Sequence, residues 1–210
     1  NIREVYSGEL YLLRNGFSET VFSYNPEKYD SFTLVLHGNL SSFQGIDVVL
    51  ELGKLLENYG NRLQILVIGK GSDDYKFREC NISTIKYLGP KPHHEIATII
   101  QKAHVGLSFR KAGKISEDAF PVRAYEYIGV CLPILVTPIS EAGRYIEQLK
   151  IGYQFEPEQI KEMVSAVEDL MFNSELYQSL INNLKESRGS FSREVISADF
   201  VKALLQKVRS

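Results

Sequence analysis

FTLVLHGNLSSFQGIDVVLELGKLLENYGNRLQILVIG, residues 32–69, changes its hydrophobic period twice. The opening FTLVLHG is a short, branched, apolar run that stops at glycine, which predicts a strand. In GIDVVLELGKLLENYG the apolar residues Ile46, Val49, Leu50, Leu52, Leu55 and Leu56 recur at helical spacing, so a helix with one broad buried face is expected. LQILVIG is apolar throughout, as strands covered on both faces are.

The same order repeats downstream. ISTIKYLG predicts a third strand ending at Gly89, Pro90-Lys91-Pro92 delivers a helix over about residues 93–102, and HVGLSF predicts a fourth strand ending near Phe109. The loop RKAGKISED follows. SEDAFPVRAYEYIGVCLPILVTP, residues 116–138, reads as a polar loop, a helix opened by Pro121 with Asp118 or Ser116 as caps, a glycine exit at Gly129 and a buried strand over 134–136. SEAGRYIEQL predicts a further helix and IGYQFEP a short sixth strand. The remainder is helical by the spacing of Ile160, Met163, Val167 and Leu170, then of Tyr177, Leu180, Ile181 and Leu184, with a last helix over about 192–207. Strands separated by helices predict an α/β fold: a Rossmann-like three-layer α/β/α domain over residues 32–205, with a mainly parallel sheet of about six strands. Residues 1–31, with Tyr6, Tyr11, Phe17, Phe22, Tyr24 and Tyr29 between turn signals, read as a lead-in that packs against a core without building one.

Composition narrows the function classes. A chain of 210 residues that is 44% hydrophobic is large enough to bury a substantial core. With 24 basic and 26 acidic residues spread along it, it lacks the basic footprint of a nucleic-acid binder. Cys80 and Cys131 are too few and too far apart for a disulfide framework, which suits a reducing compartment. No run approaches a membrane span, and NIREVYSGEL has neither a basic start nor an apolar signal core, so a soluble chain is expected. Asn1 is not a translation start, and the chain is read as cut from something larger.

In a parallel sheet, ligands sit beyond the carboxyl ends of the strands, where the strand order reverses. The loops beginning at Gly38, Gly69, Gly89, Phe109 and Thr137 all leave such ends, which gathers scattered residues on one edge. Arg123, Glu126 and Tyr127 lie three and four residues apart, so one helical side carries a cation, a carboxylate and a phenol. That is a clamp for a small polar ligand or an ordinary ion pair on a solvated face. Arg110, Lys111, Lys114 and Arg123 balance a diphosphate or form a solvated basic loop. Gly69-Lys70-Gly71 permits close approach of a phosphate or base, or is a plain tight turn. His37 and His104 face a ligand or are core imidazoles. Neither they nor the adjacent His93 and His94 have zinc-site spacing, and the G-x-S-x-G elbow and the G-x-G-x-x-G fingerprint are both missing from the sequence.

PVRAYEYIGVCLPILVTP resembles the P-x-K/R-x-x-E-Y-x-x-x-G-x-P-V segment of retaining glycosyltransferases of the two-Rossmann-domain (GT-B) architecture, particularly family 4. LHGNLSSFQGIDVVLELGKLL, ILVIGKG and IKYLGPKPHHEIATIIQKAHVGLSF are similar to successive elements of that family's carboxyl-terminal domain. Residues 12–22, with Arg14-Asn15-Gly16, resemble the approach from the other domain. The resemblance implies a donor-binding domain for a nucleotide sugar, UDP or GDP sugars above all, with no metal required for binding. It makes residues 1–31 a linker from an amino-terminal acceptor domain outside this chain, and implies that the chain alone does not turn over. Glu126 matches the second acidic position of the E-x7-E motif and would accept ribose hydroxyls. Asp118, shorter than the usual Glu, falls at the first and would hold the transferred sugar, so Asp118 and Glu126 are the implied catalytic pair. Gly38, the Gly69, Lys70 and Gly71 loop, and Tyr87 with Leu88 would line the donor. Arg110, Lys111 and Arg123 would meet the diphosphate, as would amides at Ile139 and Ser140 where a helix starts. Asn39 and Gln44 stand where many relatives carry Arg and Lys, which opens an alternative: a degenerate, non-catalytic domain for nucleotide-sugar sensing or protein association. The parent is expected in the cytoplasm, with peripheral contact at the inner face of the membrane left open.

Overall fold

The computed structural model describes residues 10–208. Residues 1–9, including the Tyr6 end of the expected lead-in, lie outside that range. Six strands, β1 (Phe32–Asn39), β2 (Leu63–Lys70), β3 (Ile85–Gly89), β4 (Val105–Ser108), β5 (Ile134–Val136) and β6 (Gly152–Gln154), form one sheet in the order β3-β2-β1-β4-β5-β6. Every pairing is parallel. The chain builds outward from β1 to β3, returns to the other side of β1 as β4, and builds outward again, so the order reverses between β1 and β4.

The connecting helices cover both faces. They are α1 (Ile46–Leu55), α2 (Tyr75–Glu79), α3 (His93–Lys102), α4 (Lys114–Glu117), α5 (Val122–Gly129) and α6 (Glu141–Gln148), followed by α7 (Ile160–Phe172), α8 (Ser174–Ser187) and α9 (Arg193–Val208). Strand residues alternate between two cores. Leu34, Leu36, Ile65, Val67 and Leu107 face Val49, Leu52, Met163 and Val167 of α1 and α7. Val35, Leu66, Ile68, Ile134 and Val136 face Ile100, Tyr127, Ile128 and Ile146 of α3, α5 and α6. This is the three-layer domain the hydrophobic periods predict.

Three local expectations change. The loop after β4 contains the one-turn helix α4. Pro121 is the residue immediately before α5, with φ −63° and ψ 140°, and neither Asp118 nor Ser116 caps that helix with its side chain. Pro121 occupies the cap position itself and has no side-chain acceptor for the first free amides, and Ala124 N–H donates to its carbonyl instead (3.0 Å). The lead-in also builds core: Phe17 and Phe22 are each 1% exposed and belong to the α5 side. A Cβ on Gly129 would lie 2.6 Å from the Phe17 ring, so that glycine lets the lead-in pack directly on α5. The segment is fixed by Phe17 N–H to Phe191 C=O (3.1 Å) and Arg193 N–H to Phe17 C=O (2.9 Å).

Candidate functional site

The carboxyl ends of β1 and β2 meet at Gly38 and Gly69, which are register partners. Gly69 has φ +141°, and a Cβ there would collide with the Gly38 carbonyl. Leu40 N–H donates to Lys70 C=O at 3.0 Å, and Tyr87 Oη donates to Gly69 C=O at 2.8 Å. The Gly69-Lys70-Gly71 turn is therefore tight because chain meets chain. Lys70 is exposed and Leu88, at 37%, lies open on the same edge.

Helix α5 starts at this edge and runs beneath it. Tyr127, one helical turn in, is fully buried and its hydroxyl donates to Val35 C=O (3.0 Å) and Leu107 C=O (3.3 Å), bracing α5 across the β1/β4 reversal. Tyr127 is thus a core strut rather than part of a clamp; burial pushes its phenol pKa well up. Arg123 and Glu126 are 9% and 8% exposed, which excludes a solvated face for them. The Arg123 guanidinium lies under Gly38, where a Cβ would sit 3.3 Å from Nη2. Gly38 has φ +116°, so a side chain there is excluded by backbone as well as by space. Arg123 Nη2 donates to Gln44 Oε1 at 2.7 Å, while Nη1 is buried with no partner. Burial pulls the Arg123 pKa down, Tyr127 and Glu126 pull it up, and Arg110 opposes them.

Glu126 is met by two imidazoles. Its Oε1 is 3.0 Å from His93 Nε2, and its Oε2 is 3.3 Å from His37 Nε2. His37 is 5% exposed. Burial, with Arg123 and His93 adding positive field, pushes its pKa down to about 3, so it faces Glu126 as a neutral ring rather than as an ion-pair partner. Glu126 is pushed up by burial and pulled back by the His93 hydrogen bond and by the charges of His93, Arg123 and Arg193. His104, by contrast, is structural: its Nδ1 accepts Thr33 N–H at 3.0 Å, and burial pushes its pKa down to about 4.

These two histidines make stability acid-sensitive. In the unfolded chain imidazoles protonate near 6.5, whereas His37 and His104 in the fold resist protonation until about 3 and 4. Below pH 6.5 the unfolded state therefore binds protons that the folded state refuses, and stability falls as pH drops from 6.5 toward 3. Glu126 acts in the opposite sense, because its raised pKa makes acidification relieve a buried charge. Urea unfolding at pH 7 and pH 4.5 should show a smaller loss for His37→Gln than for wild type; equal losses would assign the acid sensitivity elsewhere.

Arg110 and Lys111 flank the edge from the loop after β4. Arg110 is half-buried, its guanidinium lies over the Phe43 ring (5.6 Å), and its Nε is buried without a partner. Lys111 and Lys114 are exposed. Asp118, at the end of α4, is also exposed, and no hydrogen bond or ion pair joins it to Glu126. At the start of α6, Ser140 Oγ accepts Gly143 N–H (3.1 Å), and the Ser140 amide donates to Gln154 Oε1 (3.3 Å); Ile139 is exposed beside it. One of the amides expected to be open to phosphate is thus already engaged. Among the described residues, no group of three His, Cys, Asp or Glu side chains is gathered as for a metal ion, and no helix is long and apolar enough to cross a membrane.

A guanidinium buried beneath a glycine, with a buried carboxylate three residues on along the same helix, thus lies at the reversal of a parallel sheet, the place where sheets of this kind bind ligands. Residues 18–187 match the family described as glycosyl transferases group 1. The chain belongs to that family. Solved structures agree on the fold. Sucrose-phosphate synthase (tll1590) from Thermosynechococcus elongatus superposes with a TM-score of 0.77 at 15% identity, over 97% of this chain and 54% of that one. Anabaena Alr3699/HepE in complex with UDP-glucose gives 0.74 at 14% identity, over 92% and 57%. The C-terminal domain of the glycosyl transferase group 1 family protein LpcC from Francisella tularensis gives 0.66 at 13%, over 88% and 98%. The chain therefore spans little more than half of the first two and nearly all of the isolated C-terminal domain, and the fold is the C-terminal half of a GT-B architecture. No curated protein matches it. Within this group 1 domain, the sequence had singled out Arg123 and Glu126 but not the roles of His93 and Gln44. His93 had one legible signal, its place at the first residue of a helix that begins on the ligand edge.

Proposed function

We propose that this group 1 domain is the donor-binding half of a retaining glycosyltransferase. The nucleotide sugar occupies the crevice at the β1/β4 reversal, with its ribose on Glu126 and its diphosphate over Arg123, Arg110 and Lys111. Transfer breaks the bond between the anomeric carbon and the diphosphate oxygen, forms a bond to an acceptor hydroxyl, and passes the hydroxyl proton to the departing phosphate side or solvent. Residues 32–205 form the donor domain, and residues 1–31 lead from an amino-terminal domain that supplies the acceptor pocket. Asp118 reaches the transferred sugar only when the loop carrying α4 closes over the donor, and the acceptor is a glycan, lipid or small molecule handled in the cytoplasm. The supporting observation is Arg123: 9% exposed, under Gly38, with Nη1 lacking a partner. A buried guanidinium nitrogen without an acceptor is costly and is relieved by an anion.

The same arginine favours a second reading, because Gln44 already holds Nη2 and His93 and His37 already face Glu126. A site whose carboxylate and Nη2 already have protein partners suits a domain that senses nucleotide sugars or binds a protein without transfer. Calorimetry of this chain against UDP, GDP and ADP sugars separates the first reading from a mere fold relic. Saturable binding of at least one donor, tighter than its free nucleoside, is expected. Binding that no donor improves over its nucleoside would contradict the proposed site. Turnover by the parent protein, with the anomeric configuration of the product read by NMR, then separates transfer from sensing.

A further inference from the structure

His93 is neither part of the core nor free on the surface. It opens α3, its side chain is 60% exposed, and it reaches back 33 residues' distance in sequence from Glu126 to place Nε2 3.0 Å from Oε1. The Phe22 ring, brought in by the lead-in, stands edge-on to it at 5.1 Å and 79°, which fixes the imidazole plane. Opposite, His37 closes the Oε2 side of the carboxylate and is itself held edge-on against Tyr127 at 5.1 Å. Glu126 therefore lies between one buried imidazole and one that solvent can reach.

We infer that His93 is a positioning residue for the donor site, fixing the direction and charge of the Glu126 carboxylate that receives the ribose. The inference rests on the proposed donor reading. A buried carboxylate loses its charge unless a donor or cation stabilises the ionised form, and hydrogen bonding to that form is what keeps it ionised. The groups facing Glu126 are His37 from β1, His93 from α3, Arg123 and Tyr127 from α5, and Arg193 from α9. Of these, Arg123 Nη2 is committed to Gln44, and the His37 ring is neutral with its Nε2 making no aligned hydrogen bond. His93 supplies the largest opposition to the burial of Glu126, through both its hydrogen bond and its charge. A carboxylate offers about four acceptor positions, so His93 and a ribose hydroxyl can be accommodated together.

The experiment compares wild type, His93→Ala, His93→Gln and Glu126→Gln, all of which leave the core apolar residues intact. The Glu126 carboxyl is titrated by carbon NMR, its signal assigned by its loss in Glu126→Gln, and the affinity for the best-binding nucleotide sugar is measured across the range from pH 5 to pH 8. His93→Ala should raise the carboxyl midpoint by about half a unit to one unit and move the acid limb of donor affinity upward with it. His93→Gln, whose amide can donate to Oε1, should restore most of the affinity at the alkaline end. An unmoved midpoint in His93→Ala, or no rescue by His93→Gln, would overturn the inference. A raised midpoint combined with donor affinity that Glu126→Gln leaves untouched would overturn the donor reading while upholding the coupling of His93 to Glu126.

Discussion

Glu126→Gln is expected to weaken binding of the best nucleotide sugar by about 10- to 100-fold, the equivalent of losing one charge-assisted hydrogen bond of about 1.5 to 3 kcal/mol. The amide keeps an oxygen acceptor but loses the charge that a ribose diol would meet. The fold should survive, because burial raises the Glu126 pKa and a neutral group at 8% exposure removes that desolvation penalty. His93 Nε2 can still donate to the amide oxygen. Calorimetry checks the affinity and thermal unfolding checks the fold; unchanged affinity in a folded variant would remove Glu126 from the ribose site.

Arg123→Met should cost nucleoside diphosphates at least about 10-fold in affinity and leave the free nucleoside unaffected. Methionine retains much of the apolar stem under Gly38 while deleting the fork that Gln44 holds at 2.7 Å. The expectation is sharper than a count of basic residues suggests. Arg123 is buried, so its field is weakly screened, whereas Lys111 and Lys114 are exposed and act through water. Arg110→Ala combined with Lys111→Ala should therefore have the smaller effect. Equal loss of nucleoside and diphosphate would mean that Arg123 acts through packing alone.

The sheet was legible because strand and helix periods are local. FTLVLHG and LQILVIG announce β1 and β2, and the buried run over 134–136 announces β5, before any tertiary contact is known. The shared ligand edge follows from parallel topology and the glycines that end the strands. What spacing could not show was what faces what across long sequence separations. Gln44 reaches Arg123 over 79 residues, and His93 reaches Glu126 over 33. Tyr127 belongs to the same helical side as Arg123 and Glu126, yet its hydroxyl turns to the β1 and β4 carbonyls, which only the strand order explains. Phe17 and Phe22 lie in a stretch without a period, so their burial depends on the space that Gly129 leaves on α5.

The substitution of neutral Asn39 and Gln44 at the first loop also takes on a physical meaning. Asn39 is exposed at the end of β1, and Gln44 acts as an acceptor that steers one half of the Arg123 fork. A lysine at position 44 would have repelled that guanidinium, so the glutamine and the arginine work as one unit whose Nη1 has no protein partner, and under the proposed donor reading that nitrogen is the one left for the diphosphate.

The most direct measurement is an amide chemical-shift footprint of this chain titrated with its best nucleotide sugar. The account predicts perturbations concentrated at Gly38, Asn39, Gly69, Gly89, Arg110, Arg123 and Glu126, on the carboxyl edge of β1, β2, β3 and β4, and their attenuation in Glu126→Gln and Arg123→Met. Shifts clustered on the opposite edge of the sheet or along α9, with that carboxyl edge silent, would contradict it.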